Sequence, residues 1–174
     1  QFGSDEFGVQ DEQGMMGYRP VFDVPTGDGE LVPFERLHDR KSDMHPVMRE
    51  YLLRIIDLCD ENDIRLLLVK TPTPLQTLME HNAVLEVADA YGLDFIDFNE
   101  SDVHYSGLDY WYETDNFDVE HTNYWGASKV MNYLGEFLVN EYGLEPHESS
   151  QWIQLDALYQ DRIATGEEAA MDEE

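Results

Sequence analysis

The fold of this chain is decided by a short, almost continuous apolar run in its middle, Ile64-Arg65-Leu66-Leu67-Leu68-Val69. A run of this length without alternation is typical of a strand buried on both faces, as in parallel sheets. The proline-rich loop Thr71-Pro72-Thr73-Pro74 ends it. A second strand is predicted over Phe95–Phe98.

Helices are predicted on either side of the first strand. Apolar residues recur at helical spacing over Pro46–Cys59, with Ser42 or Asp43 as the cap. A second helix is predicted over Leu75–Tyr91, with Gly92 as its stop. The order helix–strand–helix–strand is that of a parallel α/β sheet. We therefore predict an α/β fold of three layers, flavodoxin-like, with a partly or wholly parallel sheet flanked by helices.

The chain divides into four predicted segments, residues 1–44, 45–145, 146–165 and 166–174. The first is rich in glycine and proline and is expected to be irregular, with at most a short strand near Val21–Val24. The second is the α/β domain, whose last helix is predicted over Tyr124–Tyr142 with Gly143 as its stop. The third is a helical extension, and the fourth is an acidic tail that we expect to fray.

The composition excludes some classes of function. The 174 residues include 38 acidic and 10 basic side chains, a formal net charge of −28. Such a chain repels nucleic acid and anionic membrane surfaces, so we expect no nucleic acid partner and no direct membrane contact. Cys59 is the only cysteine, so no disulfide can form within the chain, and its apolar surroundings indicate a core thiol rather than a nucleophile.

Asp118 and His121 form an Asp-x-x-His element just before the last predicted helix of the domain. A serine nucleophile needs a base beside it, and histidine is the natural base near neutral pH. A carboxylate on the other ring nitrogen fixes the tautomer and stabilises the imidazolium. One tight turn can supply both groups at this spacing. The alternative is that His121 is an ordinary solvated loop histidine.

The stretch from Asn116 to Ala127 resembles the last conserved block of the SGNH/GDSL hydrolase superfamily, an Asp-x-x-His followed by a Gly-Ala that opens a helix. The stretch Ile64–Pro74 is similar to a late central strand and its loop in that superfamily. Asp94–Asn99 resembles the last strand. Together the resemblance covers about residues 46–145 and is nearest to bacterial cell-envelope esterases and acyltransferases.

The resemblance implies that Asp118 is the orienting acid and His121 the base of a serine esterase or O-acyltransferase that needs no cofactor. It implies an extracytoplasmic, cell-envelope location and a carbohydrate or acyl-ester substrate. Ser4 departs from the family pattern because no apolar strand precedes it, so the nucleophile is expected upstream or absent. The chain is then the C-terminal half of an incomplete SGNH-type domain, inactive alone, which pairs with the missing N-terminal half or with itself.

Three further features have two interpretations each. Trp111 and Tyr112 are predicted to form an aromatic wall for substrate, or to pack the loop onto the sheet. Asn123 is predicted to contact substrate or to brace the turn. A metal site is the weaker alternative to the Asp118–His121 pair, with Asp115 and Glu120 adding oxygen ligands, and we predict no metal.

The competing class of function is a non-catalytic binding or interaction module on an SGNH-like scaffold.

Overall fold

The computed structural model describes residues 20–27, 30–31, 39–75, 77–103, 108–145 and 150–172. Within these ranges the fold is mixed α/β, with six helices and a small parallel sheet of two strands. The helices are α1 (Pro46–Glu61), α2 (Leu78–Tyr91), α3 (Ser101–Val103), α4 (Tyr112–Asp115), α5 (Tyr124–Tyr142) and α6 (Ser150–Asp172). The strands are β1 (Leu67–Lys70) and β2 (Asp94–Asp97).

The two strands pair in parallel, with α2 as the connection between them, so the predicted order of strand, helix and strand is confirmed. Leu67 lies opposite Asp94, and Lys70 opposite Asp97. The expectation that the first strand is buried on both faces is wrong, because the Val69 side chain is 40% exposed. Within the described residues β1 has one neighbouring strand, β2.

Helix α1 begins at Pro46, as predicted, because a proline at the first helical position loses no hydrogen bond. Its cap is neither Ser42 nor Asp43 but His45, whose Nδ1 accepts the Val47 N–H at 3.3 Å. The predicted core face is only partly buried. Ile56 is 6% exposed, whereas other apolar side chains of the same helix remain half-exposed or more, namely Met48, Tyr51, Ile55 and Leu58.

Helix α2 begins at Leu78, three residues later than predicted. Thr77 accepts the Glu80 N–H while Glu80 accepts the Thr77 N–H, and this reciprocal capping box fixes the start of the helix. Gly92 ends the helix in the left-handed region at φ 65°, so the predicted stop is confirmed. Helix α5 has the predicted bounds, with Gly143 as its left-handed cap.

The core lies between β2, the segment that follows it and α5. Its members are Ile96, Phe98, Leu108, Tyr110 and Val130. Phe98 is fully buried and meets Tyr133 of α5 edge to face, with ring centroids 5.3 Å apart. This packing holds the middle of α5 against the segment that follows β2.

The predicted strand near Val21–Val24 is wrong, because residues 20–25 have no regular secondary structure. They are nevertheless anchored on α5. The Tyr124 N–H donates to the Val21 carbonyl at 2.7 Å, and the Phe22 ring packs on Tyr124 and Trp125. The rest of the predicted irregular segment lies largely outside the described residues.

Helix α6 continues to Asp172, so the expectation of a frayed tail over residues 166–172 is wrong. Gly166 does not interrupt the helix, and a Cβ atom there would overlap the Phe22 ring. The missing side chain therefore allows the N-terminal segment to approach α6 closely. None of the helices in the described part of the chain is long and apolar enough to cross a membrane.

Candidate functional site

The Asp-x-x-His element forms a closed loop between α4 and α5. Asn116 and Thr122 form an antiparallel bridge across the base of the loop, and the Phe117 N–H donates to the His121 carbonyl at 2.8 Å. The Asn116 side-chain amide also donates to the Asp118 carbonyl at 3.0 Å. These bonds hold the residues from Asp118 to His121, here called the Asp118–His121 turn, in one compact conformation.

The Asp118 carboxylate is the centre of this turn. Its Oδ1 accepts the backbone N–H groups of Glu120 and His121, at 2.8 and 2.9 Å. It also lies 2.9 Å from Nδ1 of the His121 ring, and Oδ2 lies 3.0 Å from the same nitrogen. The Glu120 N–H, and next the His121 ring, lower the pKa of the Asp118 carboxyl below its ordinary value. Asp118 is therefore a carboxylate that orients a histidine.

The hydrogen bond and the negative charge of Asp118, aided by the charge of Glu120, raise the pKa of His121 above its ordinary value of 6.5. With Nδ1 held by the carboxylate, the Nε2 atom remains open, and it has no hydrogen bond to any described residue. The His121 side chain is 67% exposed and that of Asp118 is 43% exposed. Water screens an exposed pair, so the full electrostatic effect requires a surface that covers the ring.

Asn123 braces the loop, which is one of its two predicted roles. Its Oδ1 caps α5 by accepting the Gly126 N–H at 3.0 Å, and its Nδ2 donates to the carbonyls of Thr114 and Asn116 at 2.8 and 3.2 Å. The side chain is buried, so these contacts occupy it within the protein. A substrate contact by Asn123 is therefore not part of the site that this geometry supports.

The two predicted aromatic residues lie in different environments. Trp111 is 61% exposed, and its indole N–H donates to Asp109 at 2.9 Å. Tyr112 is 3% exposed in the interior, as expected for the packing interpretation rather than for a wall that faces substrate. The prediction of a substrate contact is therefore kept for Trp111 alone.

Buried polar groups behind the loop support its base. The Tyr110 hydroxyl oxygen lies 2.9 Å from Asn116 Oδ1 and 3.0 Å from the Asp115 carbonyl oxygen, so its one proton can be donated to either acceptor. Burial, and next the charge of Asp115, raise the pKa of Tyr110, so this hydroxyl keeps its proton. Gly126 packs directly on the same carbonyl, since a Cβ atom there would lie 2.0 Å from the Asp115 oxygen.

The weaker metal hypothesis gains nothing from this arrangement. Asp115 is 1% exposed, and its Oδ2 accepts the Lys129 ammonium at 2.7 Å and the Trp111 N–H at 2.6 Å. The Lys129 ammonium thus balances the charge of this carboxylate inside the protein, and Asp115 does not belong to an exposed set of metal ligands. Among the residues with described positions, no group of three or more His, Cys, Asp or Glu is arranged to hold a metal ion.

The sequence predictions missed the residues that connect the turn to the sheet. The Thr73 hydroxyl, just after β1, donates to the Val119 carbonyl at 3.2 Å. Asn99, just after β2, accepts the Thr73 N–H at 2.8 Å. Polar residues that follow two neighbouring parallel strands meet at one edge of the sheet, and this rule could have identified both. The Asp118–His121 turn therefore lies at the carboxyl edge, where α/β proteins bind ligands.

Searches of protein-family models, of curated proteins and of solved structures find no match for this chain.

Proposed function

We propose that the Asp118–His121 pair is the acid–base part of a serine esterase or O-acyltransferase site of the SGNH/GDSL type. The substrate class is an acyl ester on a cell-envelope carbohydrate or polymer, and the location is extracytoplasmic. One observation carries the proposal: both carboxylate oxygens of Asp118 lie within 3.0 Å of Nδ1 of His121, while Nε2 is left open. This is the arrangement in which a neutral imidazole accepts a proton from a serine hydroxyl.

In the proposed reaction Nε2 of His121 takes the proton of a serine hydroxyl as the serine oxygen attacks the ester carbonyl. The tetrahedral intermediate collapses, the alcohol leaves with the proton from His121, and an acyl-serine remains. Water or a sugar hydroxyl then gives its proton to His121 and attacks the acyl-serine. The serine oxygen leaves with that proton from His121, which releases the acid or the new ester and restores the free serine and the neutral imidazole. Asp118 keeps the proton on Nδ1 and stabilises the imidazolium through each step.

The proposed nucleophile comes from polypeptide outside the described residues. No described serine is hydrogen-bonded to His121, and Ser128 instead donates to the Tyr124 carbonyl. One edge of β1 pairs with no strand among the described residues, and apolar side chains of α1 are exposed. Both observations support further strands and helices completing the sheet. We propose that an upstream segment, or a second copy of the chain, supplies them in a three-layer flavodoxin-like arrangement and covers His121.

Hydrolysis of p-nitrophenyl acetate by the full-length natural protein tests this function. The variant His121→Ala should lower kcat/KM by roughly 100-fold or more, since general base catalysis contributes 10²–10⁴-fold. Asp118→Asn should lower kcat/KM in the same direction. A fluorophosphonate probe should label one serine, and the label should be lost in His121→Ala.

His45→Asn is the matched control. It removes an exposed histidine elsewhere on the surface and keeps a side-chain oxygen that can cap α1. Turnover should remain at the wild-type level in this variant. Equal turnover in His121→Ala and the wild type would show that His121 is not the base.

A non-catalytic binding module is the second candidate, and a specific observation favours it: the His121 ring is exposed, with no described serine beside it. In that case the full-length protein hydrolyses no ester above the rate of free imidazole, and the fluorophosphonate probe labels no serine. The same two measurements thus separate the two functions.

A further inference from the structure

A chain of buried polar groups begins where β2 ends. Asp97 is fully buried, and its Oδ1 accepts both the backbone N–H of Asn99, at 2.9 Å, and the side-chain amide of Asn99, at 2.7 Å. Its Oδ2 lies 3.0 Å from Nδ1 of His81, a residue of α2 that is also fully buried. The Asp97 carboxylate therefore fixes the Asn99 side chain and is itself bonded to His81 of α2.

Asn99 then bridges to the segment that follows β1. Its Nδ2 donates to the Thr71 carbonyl at 3.0 Å, and its Oδ1 accepts the Thr73 N–H at 2.8 Å. Both polar atoms of the amide are thus used, one on each side of Pro72. Such a pair of bonds fixes the backbone of this loop more firmly than either bond alone, since both must break for the loop to move.

Thr73 carries the connection to the candidate site. Its hydroxyl donates to the carbonyl of Val119 at 3.2 Å and accepts the Leu75 N–H at 3.2 Å. Val119 lies directly between Asp118 and Glu120, so this bond reaches the middle of the Asp118–His121 turn. The remaining bonds of the turn are made within its own loop, and they fix its shape without fixing its distance from the sheet.

We propose that Asn99 and Thr73 are positioning residues, which hold the Asp118–His121 turn at the carboxyl edge of the sheet through the chain Asp97, Asn99, Thr73 and Val119. This positioning role presupposes the proposed function, because a catalytic base must keep a fixed position relative to its nucleophile. The geometry itself does not depend on turnover, and it can be measured without a substrate.

Nuclear magnetic resonance of this chain provides the test, with Thr73→Val as the main variant and Thr73→Ser as its control. Valine has the shape of threonine but cannot donate to Val119, whereas serine keeps the hydroxyl. In Thr73→Val the backbone order parameters of Val119 and Glu120 should fall from about 0.85 to below about 0.6. The pKa of His121 should also move toward its ordinary value, because a mobile turn makes the Asp118 hydrogen bond for less of the time. Thr73→Ser should restore both values.

Asn99→Ala gives an independent second variant, since it leaves the Thr73 hydroxyl and its bond to Leu75 intact but removes the acceptor of the Thr73 N–H. Asn99→Ala should lower the order parameters of the turn in the same way. In the double variant with Thr73→Val, the loss should be less than the sum of the two single losses. If Asn99→Ala does not fold, the comparison of Thr73→Val with Thr73→Ser decides alone.

Wild-type order parameters and an unchanged His121 titration in Thr73→Val would overturn the positioning role. That outcome differs from failure of the proposed function, in which the full-length protein shows no esterase activity while the turn still responds to Thr73→Val.

Discussion

Two histidine–carboxylate pairs of nearly equal length lie in opposite environments of this molecule. His121 Nδ1 lies 2.9 Å from Asp118, on the surface, and His81 Nδ1 lies 3.0 Å from Asp97, in the interior. The members of the first pair are three positions apart in one loop, whereas the second pair joins α2 to β2. The Nε2 atom of His81 faces a second carboxylate, that of Glu100, at 3.4 Å, whereas Nε2 of His121 faces none among the described residues.

Burial determines which role each histidine–carboxylate pair can have. Water surrounds the exposed pair and screens its attraction, so the pair adds little to stability. The same exposure leaves a ring nitrogen that a substrate or a serine can reach. The buried pair has no contact with water, so losing either partner leaves a polar group in the interior without its bond. We therefore expect the interior pair to hold the fold and the surface pair to carry the chemistry.

Asp97→Ala should give the largest effect on stability. It removes the acceptor of His81 and of both Asn99 donors, and breaking a buried pair costs about 3–5 kcal/mol. The urea midpoint should fall with an unchanged slope. Asp118→Ala is the matched control, because it removes an equivalent carboxylate from the exposed pair, and its midpoint should stay close to the wild-type value. Equal losses of stability in the two variants would show that the interior pair does not stabilise the fold more than the surface pair does.

The exposed pair also depends on the packing behind it, and Gly126→Ala should have the next largest effect. The new methyl group would overlap the Asp115 carbonyl, so α5 must shift away from α4 at a cost of about 1–3 kcal/mol. Gly135→Ala, in the same helix, meets no atom within 4 Å and should stabilise the chain by about 0.5–1 kcal/mol. Thermal unfolding of the two variants measures this contrast. A loss of stability in both would show that the helix backbone, rather than this contact, is the cause.

The elements of the fold were largely predictable because their signals are local. The apolar face of α5 predicts a helix, and Gly143 predicts its end where the structure has it. Gly92 predicts the end of α2 in the same way. The start of α2 was missed because the capping box of Thr77 and Glu80 overrides the apolar pattern. The partial exposure of β1 was missed because the burial of its side chains depends on which elements pack on the two faces of the sheet, and the strand's own sequence does not encode that packing.

The candidate site also has residues that could be predicted from the sequence and residues that could not. Asp118 and His121 could be paired from the sequence because they are three residues apart in one turn. The contact of Thr73 with Val119 spans 46 residues, and it exists only after two parallel strands have brought their ends together. The groups that carry out the proposed chemistry were thus visible in the sequence, and the groups that position them became visible only in the fold.

The exposed pair should also respond to substitution through the titration of its histidine, with a smaller change than those in stability. The pKa of His121, followed by the ring proton signals, should lie above 6.5 in the wild type and fall in Asp118→Asn, which removes the largest cause of the shift. Glu120→Gln should lower it less, because that carboxylate acts through its charge alone. Asp57→Asn, on the exposed surface of α1, changes the net charge by the same amount and should leave it in place.

The sign of this shift fixes the pH dependence of both stability and turnover. Because the folded pKa of His121 is raised, its protonated form stabilises the fold below the unfolded pKa, and this contribution disappears as the pH rises through the folded value. Asp118, whose pKa is lowered, stabilises the fold above its unfolded pKa and ceases to do so as the pH falls through the folded value. Turnover needs the neutral imidazole, so kcat/KM of the full-length protein should rise through a pKa above 6.5, and this limb should move to lower pH in Asp118→Asn as the maximum falls. A limb at the same pH in both proteins would separate His121 from the catalytic base and leave the exposed pair as an ordinary surface contact.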